Sequence, residues 1–246
     1  MVNEIIRKRK SIRKYERTPL DDATLANVRE RIVNLVPLYP DIKYTIDIAN
    51  KTKGLLAQGS GASSFLVFRS EESPDAYVNV GFIGQQMDLY FSANGLGSCW
   101  LGMAKPNDKS GLPYVISMAF GKPAEPLHRQ SVSDFKRKPL SEISEGADER
   151  LEAARLAPSG MNAQGWFFVA KDGIIRCYRK KSGLAHGKLG CIDMGIALWH
   201  IAIESESEGE SEGKSEGESQ SHSFCFVKEA DPPERVGFIY SGTVGK

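Results

Sequence analysis

The chain has almost no surplus charge of either sign. Thirty-two Lys and Arg stand against thirty-one Asp and Glu, a formal charge of +1 in 246 residues. A dedicated nucleic-acid binder more often carries a basic surplus over its domain, so that class is disfavoured. No apolar run approaches the roughly 20 residues that a membrane helix needs, and charge follows the first Met too soon for a secretory signal. The expectation is a cytoplasmic protein with neither a membrane nor a nucleic-acid partner. Cysteine is sparse: Cys99, Cys177, Cys191 and Cys225 form no CxxC pair, and none of His128, His186, His200 and His222 lies at ligand spacing from them. That excludes a readable metal site and leaves reduced thiols packed as small apolar groups. No GxGxxG follows a strand, so a dinucleotide-binding Rossmann unit has no support. No Cys or His has a neighbour that marks it as a general acid or base, and no catalytic residue of that kind is named.

What is present is an ordinary globular composition, 41% hydrophobic and 26% charged, in a length that suits one large domain or two small ones. Residues 3–8 predict a short helix with Asn3 as N-cap. In TPLDDATLANVRERIVNLVP, Asp21 and Asp22 open an amphipathic helix, Leu25, Val28, Ile32 and Leu35 recur at helical spacing, and Pro37 closes it. A less regular part runs to about Ser60. SSFLVFRS predicts a buried strand and EESPDAY a polar break after it. In VNVGFIGQQMDLYFSANG, Val80, Ile83, Met87, Tyr90 and Phe91 share a helical face while Phe82 and Leu89 lie off it, which predicts a helix buried on most sides. Asn94 and Gly95 end it, with the glycine free to turn left-handed. YVISMAFG is a continuous apolar run suited to a strand covered on both faces.

The second half begins with PLSEISEGADERLEAARLAP, polar and then helical. WFFVAKDGIIRCYRK is the clearest hairpin, two β-prone runs around Asp172-Gly173, and CIDMGIALWHIAIE is another apolar helix. Residues 204–221 are acidic and of low complexity, a composition that buries too little to hold a fold; a solvated insertion before SFCFVKEA is expected. The halves also echo one another: GASSFLVF resembles NAQGWFFV, and IGQQMDLYFSANG resembles IDMGIALWHIAIE. The echo predicts two similar subdomains, residues 1–143 and 144–246, with the insertion inside the second.

Three stretches carry candidate chemistry. RKRKSIRKYE at 7–16 holds six basic residues in ten. Arg9 and Arg13 would share a face on a continuous helix, and guanidinium groups with the Ser11 hydroxyl suit a phosphate. A solvated basic face is the plainer alternative. APSGMNAQGWFF at 157–168 wedges Asn162 and Gln164 between an apolar helix and an apolar strand. Their amides need partners, which a planar heterocycle with alternating donors and acceptors would provide; capping of the helix end and strand edge would serve as well. GLGSCWLG at 95–102 has three glycines in eight residues, which lets backbone approach a neighbour closely.

Together RKSIRKY, GLGSCWLG, ISMAFGKPAE, KRKPLSE and APSGMNAQGWFF resemble the FMN-dependent nitroreductase family, and among its members the branch in which one rearranged chain forms what is otherwise a dimer. Here the APS block opens the second half instead of following the arginine block; Gly165 replaces the usual Pro before Trp, and Gly160 the second Ser. The resemblance implies an α+β fold, a mixed sheet flanked by helices in two similar halves, a pseudo-dimer that is a monomer or a weak homodimer. It implies that Arg9, Lys10, Ser11 and Arg13, with Arg137, hold the FMN phosphate and ribityl chain, that Pro158, Ser159, Gly160, Asn162 and Gln164 line the ring and ribityl, and that Trp100, Leu101 and Gly102 meet the ring through backbone. The first-half twin GASSFLVF lacks the Asn and Gln, so one complete flavin site is expected. The implied activity is hydride transfer from NAD(P)H through FMN to a small electron-poor acceptor such as a nitroaromatic or a quinone. The alternatives are a degenerate flavin binder without reductase activity, or a reduced-flavin enzyme acting on oxygen or halogenated substrates.

Overall fold

The computed structural model describes residues 2–54, 60–106, 108, 111–211 and 224–245. It separates into two compact units, Met1–Phe135 and Lys136–Lys246.

In the first unit, α1 (Val2–Ile6) leads into an extended basic segment, and α2 (Asp22–Val33) follows. Asp21 caps α2 as its composition predicts, its carboxylate accepting the Thr24 N–H at 2.7 Å. The chain then forms β1 (Tyr44–Ala49), β2 (Ser64–Ser70), α3 (Pro74–Ala93), β3 (Gly97–Leu101) and β4 (Tyr114–Gly121). The strands pair antiparallel throughout in the order β1-β2-β4-β3. The two central strands are the two continuous apolar runs, buried along nearly their whole length. The helix α3 is buried on almost all sides, as its off-face Phe82 and Leu89 predict. It starts four residues earlier than the apolar pattern does, because Ser73 caps it and Pro74 fits its first turn. It ends at Gly95 with φ +76°, where the Leu96 N–H returns to the Phe91 carbonyl at 2.9 Å.

The second unit holds α4 (Leu140–Ile143), β5 (Ser144–Glu145), α5 (Arg150–Leu156), the hairpin β6 (Trp166–Lys171) and β7 (Ile174–Lys180), α6 (Leu184–Ser211), β8 (Cys225–Val227) and β9 (Phe238–Gly245). Its sheet runs β5-β6-β7-β9-β8; the β5–β6 pair is parallel and the rest antiparallel, so this sheet is mixed. Asp172 and Gly173 take φ of 53° and 76°, the two left-handed positions of the expected tight turn. The helix α6 continues through Ser211, into the acidic run that was expected to be an excursion. Extension of a formed helix is easy, Glu is a good helix former, and the Ser205 hydroxyl bonds back to the Ile201 carbonyl at 3.0 Å. Residues 212–221 of that run lie outside the described residues.

The two units share one connectivity. Each has a helix, a hairpin, a long apolar helix and a second strand pair, and β1-β2-β4-β3 has the same order as β6-β7-β9-β8. The internal echo of the long helices, α3 and α6, therefore has a structural counterpart. The strand echo is displaced: GASSFLVF forms β2, whose counterpart by connectivity is β7, whereas NAQGWFFV forms β6.

Candidate functional site

The basic segment is not a helix. Arg9 bridges to His128 and Tyr15 to Pro123 as isolated β-bridges, and the Ile12 N–H donates to the Ser98 carbonyl at 2.9 Å. In this extended course every third side chain, Arg9, Ile12 and Tyr15, turns inward, while Arg13 and Lys14 stay exposed. Ile12 and Tyr15 join a cluster with Phe65, Cys99, Leu101 and Ala119. That packing explains one glycine of GLGSCWLG, Gly97. A Cβ on Gly97 would come within 2.7 Å of Ile12, so the close backbone approach is made by the protein's own chain.

Arg9 differs most from the expectation. It is 1% exposed, and its Nε lies 3.1 Å from Asp88 Oδ2 on α3. Asp88 also accepts from the Ser98 hydroxyl at 2.6 Å and from the Gln85 amide at 3.0 Å. Arg129 donates to the Arg9 carbonyl and lies over the Phe135 ring at 4.1 Å. Arg9 is thus a buried ion pair that pins the segment, with one donor reaching the Ser11 hydroxyl at 3.2 Å. Lys10 pairs with Glu125 at 3.6 Å, and that carboxylate also accepts the Arg13 N–H at 2.8 Å. Those contacts, the Arg13 backbone bond first, hold the Glu125 carboxyl below its usual range. Among the described residues the Arg13 guanidinium makes a single contact, at 3.5 Å, to the Ser11 carbonyl. Positive potential is concentrated here: burial first, then the Arg9 charge, brings Arg129 down to about 10. Arg129 was not singled out from the sequence; its signal, a single Arg beside His128, was too ordinary to find.

Trp100, Leu101 and Gly102 lie on and after β3, an edge strand. The Trp100 indole stacks on Phe68 with centroids 5.6 Å apart and fills the place where Gly84 would carry a Cβ. Leu101 joins the core, so what these residues leave open is backbone.

In the second unit the amide turn is tightly held. Met161, Asn162 and Gln164 take φ of 51°, 58° and 49° without being glycine. The Ser159 hydroxyl accepts the Gln164 N–H at 3.0 Å. Gln164 Oε1 accepts the Lys138 N–H at 2.7 Å and Nε2 donates to the Asn162 carbonyl at 2.9 Å. Asn162 accepts from Arg137 and donates to the Lys136 carbonyl at 3.0 Å. Arg137 also reaches the Leu156 carbonyl at 3.3 Å. The amides thus tie the turn to residues 136–138, close to the capping role that their setting allows. Met161, at the tip, is 84% exposed. Beneath the turn, Asp193 of α6 accepts the Gly160 N–H at 2.9 Å. Burial lifts this carboxyl to about 7. Asp193 has no signal in the sequence, since a lone Asp in an apolar helix has many roles.

The structure thus groups Arg9, Lys10, Ser11 and Arg13 with Trp100, Leu101 and Gly102 in one unit, and Arg137 with the 158–164 turn in the other. Among the described residues no group of His, Cys, Asp and Glu could hold a metal ion, and no helix is long and apolar enough to cross a membrane. The donor set of the basic segment, an exposed guanidinium beside a hydroxyl and a lysine, fits a phosphoryl group.

A family model described as "Putative TM nitroreductase" matches residues 1–205. The structure is similar to that of a nitroreductase from Thermotoga maritima, itself described as putative, with a TM-score of 0.67 and 20% identity over 99% of this chain and 92% of that one. At that identity the likeness speaks for the fold. Shorter likenesses reach an NADH dehydrogenase/NAD(P)H nitroreductase of Bacteroides thetaiotaomicron, also described as putative (TM-score 0.43, 17% identity, 52% of this chain and 90% of that one). An FMN-dependent nitroreductase of Clostridium difficile is matched similarly (TM-score 0.43, 16% identity, 55% and 95%). No curated protein matches.

Proposed function

This chain belongs to the TM nitroreductase family, and from that premise we propose that it is an FMN-dependent oxidoreductase that passes hydride from NAD(P)H to electron-poor acceptors such as nitroaromatics or quinones. The observation that carries the reading is the construction of the basic segment. Its buried Arg9–Asp88 pair fixes an extended course on which Ser11 and the exposed Arg13 are presented together. Arg13, Ser11 and Lys10 would bind the phosphate by charge-assisted hydrogen bonds; Arg9 would support them from beneath. Within the first unit the backbone at Trp100–Gly102 would orient a flavin ring; within the second, the turn at 158–164 would line one. Bound flavin supplies the two-electron chemistry, and the protein's part is orientation and charge. The test is anaerobic mixing: protein loaded with FMN and given NAD(P)H should bleach, then recover its colour on addition of a nitroaromatic or quinone. Absence of bleaching by either nicotinamide sinks the reductase assignment.

One observation favours a second reading. Asn162 and Gln164 are bonded to residues 136–138, so their amides are not presented to a ring. A flavin binder without reductase activity would retain FMN but fail that bleaching experiment.

A further inference from the structure

The two long helices do the same thing at equivalent places. In the first unit, Asn79 of α3 is wholly buried and accepts the Leu38 and Tyr39 N–H groups at 2.9 and 3.1 Å. In the second, Asp193 of α6 is buried and accepts the Gly160 N–H at 2.9 Å. Both receiving segments join a helix to the first strand of a hairpin, α2 to β1 and α5 to β6. Both side chains open the same short pattern, Asn79-Val80-Gly81 and Asp193-Met194-Gly195. The shared connectivity thus identifies one anchor position, filled by a neutral amide in one unit and by an ionisable acid in the other.

The ionisable version sits under the strained turn. Gly160 immediately precedes Met161 and Asn162, both left-handed, and Gln164 is left-handed two residues on. Such backbone persists only where surrounding bonds over-determine it, and Asp193 is the bond that reaches the turn from the helix.

We propose that Asp193 is a positioning residue: its buried carboxyl, through the Gly160 N–H, sets the geometry of the 159–164 turn and makes that geometry respond to proton concentration. The flavin consequence rests on the function proposed above; the anchor itself does not. Among the described residues Gly160 is its sole hydrogen-bond partner, and it has no ion pair. Most charged groups on the elements around it are engaged elsewhere or exposed, while Lys188, five residues before it on α6, is half-buried. On α5, Arg150 pairs with Asp148 and Arg155 with Glu152; on β7, Arg176 pairs with Glu229 and Arg179 is half-buried. Lys171 of β6 and Lys180 of β7 are exposed, and His200 of α6 lies against the Ala153 carbonyl at 2.8 Å. Burial, opposed only by the Gly160 bond, places the change in charge near pH 7. Below it the neutral acid stays buried and the turn is held firmly; above it the buried charge favours openings that hydrate the carboxylate, and the turn is held more weakly.

The test uses the full chain and Asp193→Asn, which places in the second unit the amide that the first already uses. In amide-resolved NMR spectra the Gly160 N–H of the parent should titrate with a midpoint near 7, and in Asp193→Asn it should stay flat. FMN binding, read from flavin fluorescence, should weaken about fivefold between pH 6 and 8 in the parent and not at all in the variant. A Gly160 amide that does not titrate, or that titrates alike in both proteins, overturns the proposal. A Gly160 titration in a protein that binds no FMN at any pH supports the anchor and overturns the flavin assignment instead.

Discussion

Arg9 and Arg13 are the same residue four positions apart, and the fold gives them opposite work. Arg9 is sealed against Asp88, and removing one partner of such a pair leaves a buried charge alone. Arg9→Ala should therefore lower stability by about 3 kcal/mol in urea unfolding. Arg13→Ala, at an exposed position, should change it by less than about 0.5 kcal/mol and act on phosphate binding alone. The sequence showed six basic residues in a row of ten but not which one is buried, because that depends on Asp88, seventy-nine positions away. The same holds for Asn162 and Gln164: their need for partners was legible, whereas the partners at 136–138 were set by the turn. Asp193 adds a pH dependence of known sign. A carboxyl raised to about 7 when folded binds its proton more tightly folded than unfolded. Its contribution to stability is present below about pH 4 and is lost as pH rises through 7. Asp193→Asn should thus gain roughly 2–4 kcal/mol over the parent on going from pH 4 to pH 8, measured by denaturant unfolding at both.

At the scale of elements, local chemistry that sits at one place in the chain was readable. The Asp21 cap, the Asp172-Gly173 turn and the left-handed Gly95 all appear where their residue types put them. Asp21→Ala should remove the cap and lower the thermal midpoint. Elements whose signal depends on neighbours were not readable. β1 is an edge strand with Thr45 and Asp47 exposed, and its alternation was lost in a polar stretch. β9 is interrupted by Gly242, at φ +152° beside a shift in register, with the Phe226 ring in the space a Cβ would occupy. The acidic end of α6 misled in the opposite sense, since composition forbade a fold but not the extension of a helix already anchored by Ile196, Ile201 and Ile203. Gly97 is the element-scale test of the basic segment. Gly97→Ala would drive a Cβ into Ile12, and the resulting strain should destabilise the first unit by about 1–3 kcal/mol.

At the scale of the whole molecule, the repetition is one of connectivity. Both units build a four-strand order of the same kind around a long apolar helix, and the second adds β5 on the edge. The long helices carried enough apolar pattern for the echo to be seen in the sequence. The strands did not, because short buried strands of Phe, Val and Leu look alike, and the echo matched β2 to β6 instead of β7. The family assignment is consistent with this architecture, and the flavin is what we propose beyond it. The most direct measurement is the visible spectrum of the purified full chain after incubation with FMN and desalting, for the parent and for Arg13→Ala. Flavin bands should stay with the parent and fall markedly in a variant that is as stable as the parent. A colourless parent, or bands undiminished by Arg13→Ala, would contradict the flavin assignment.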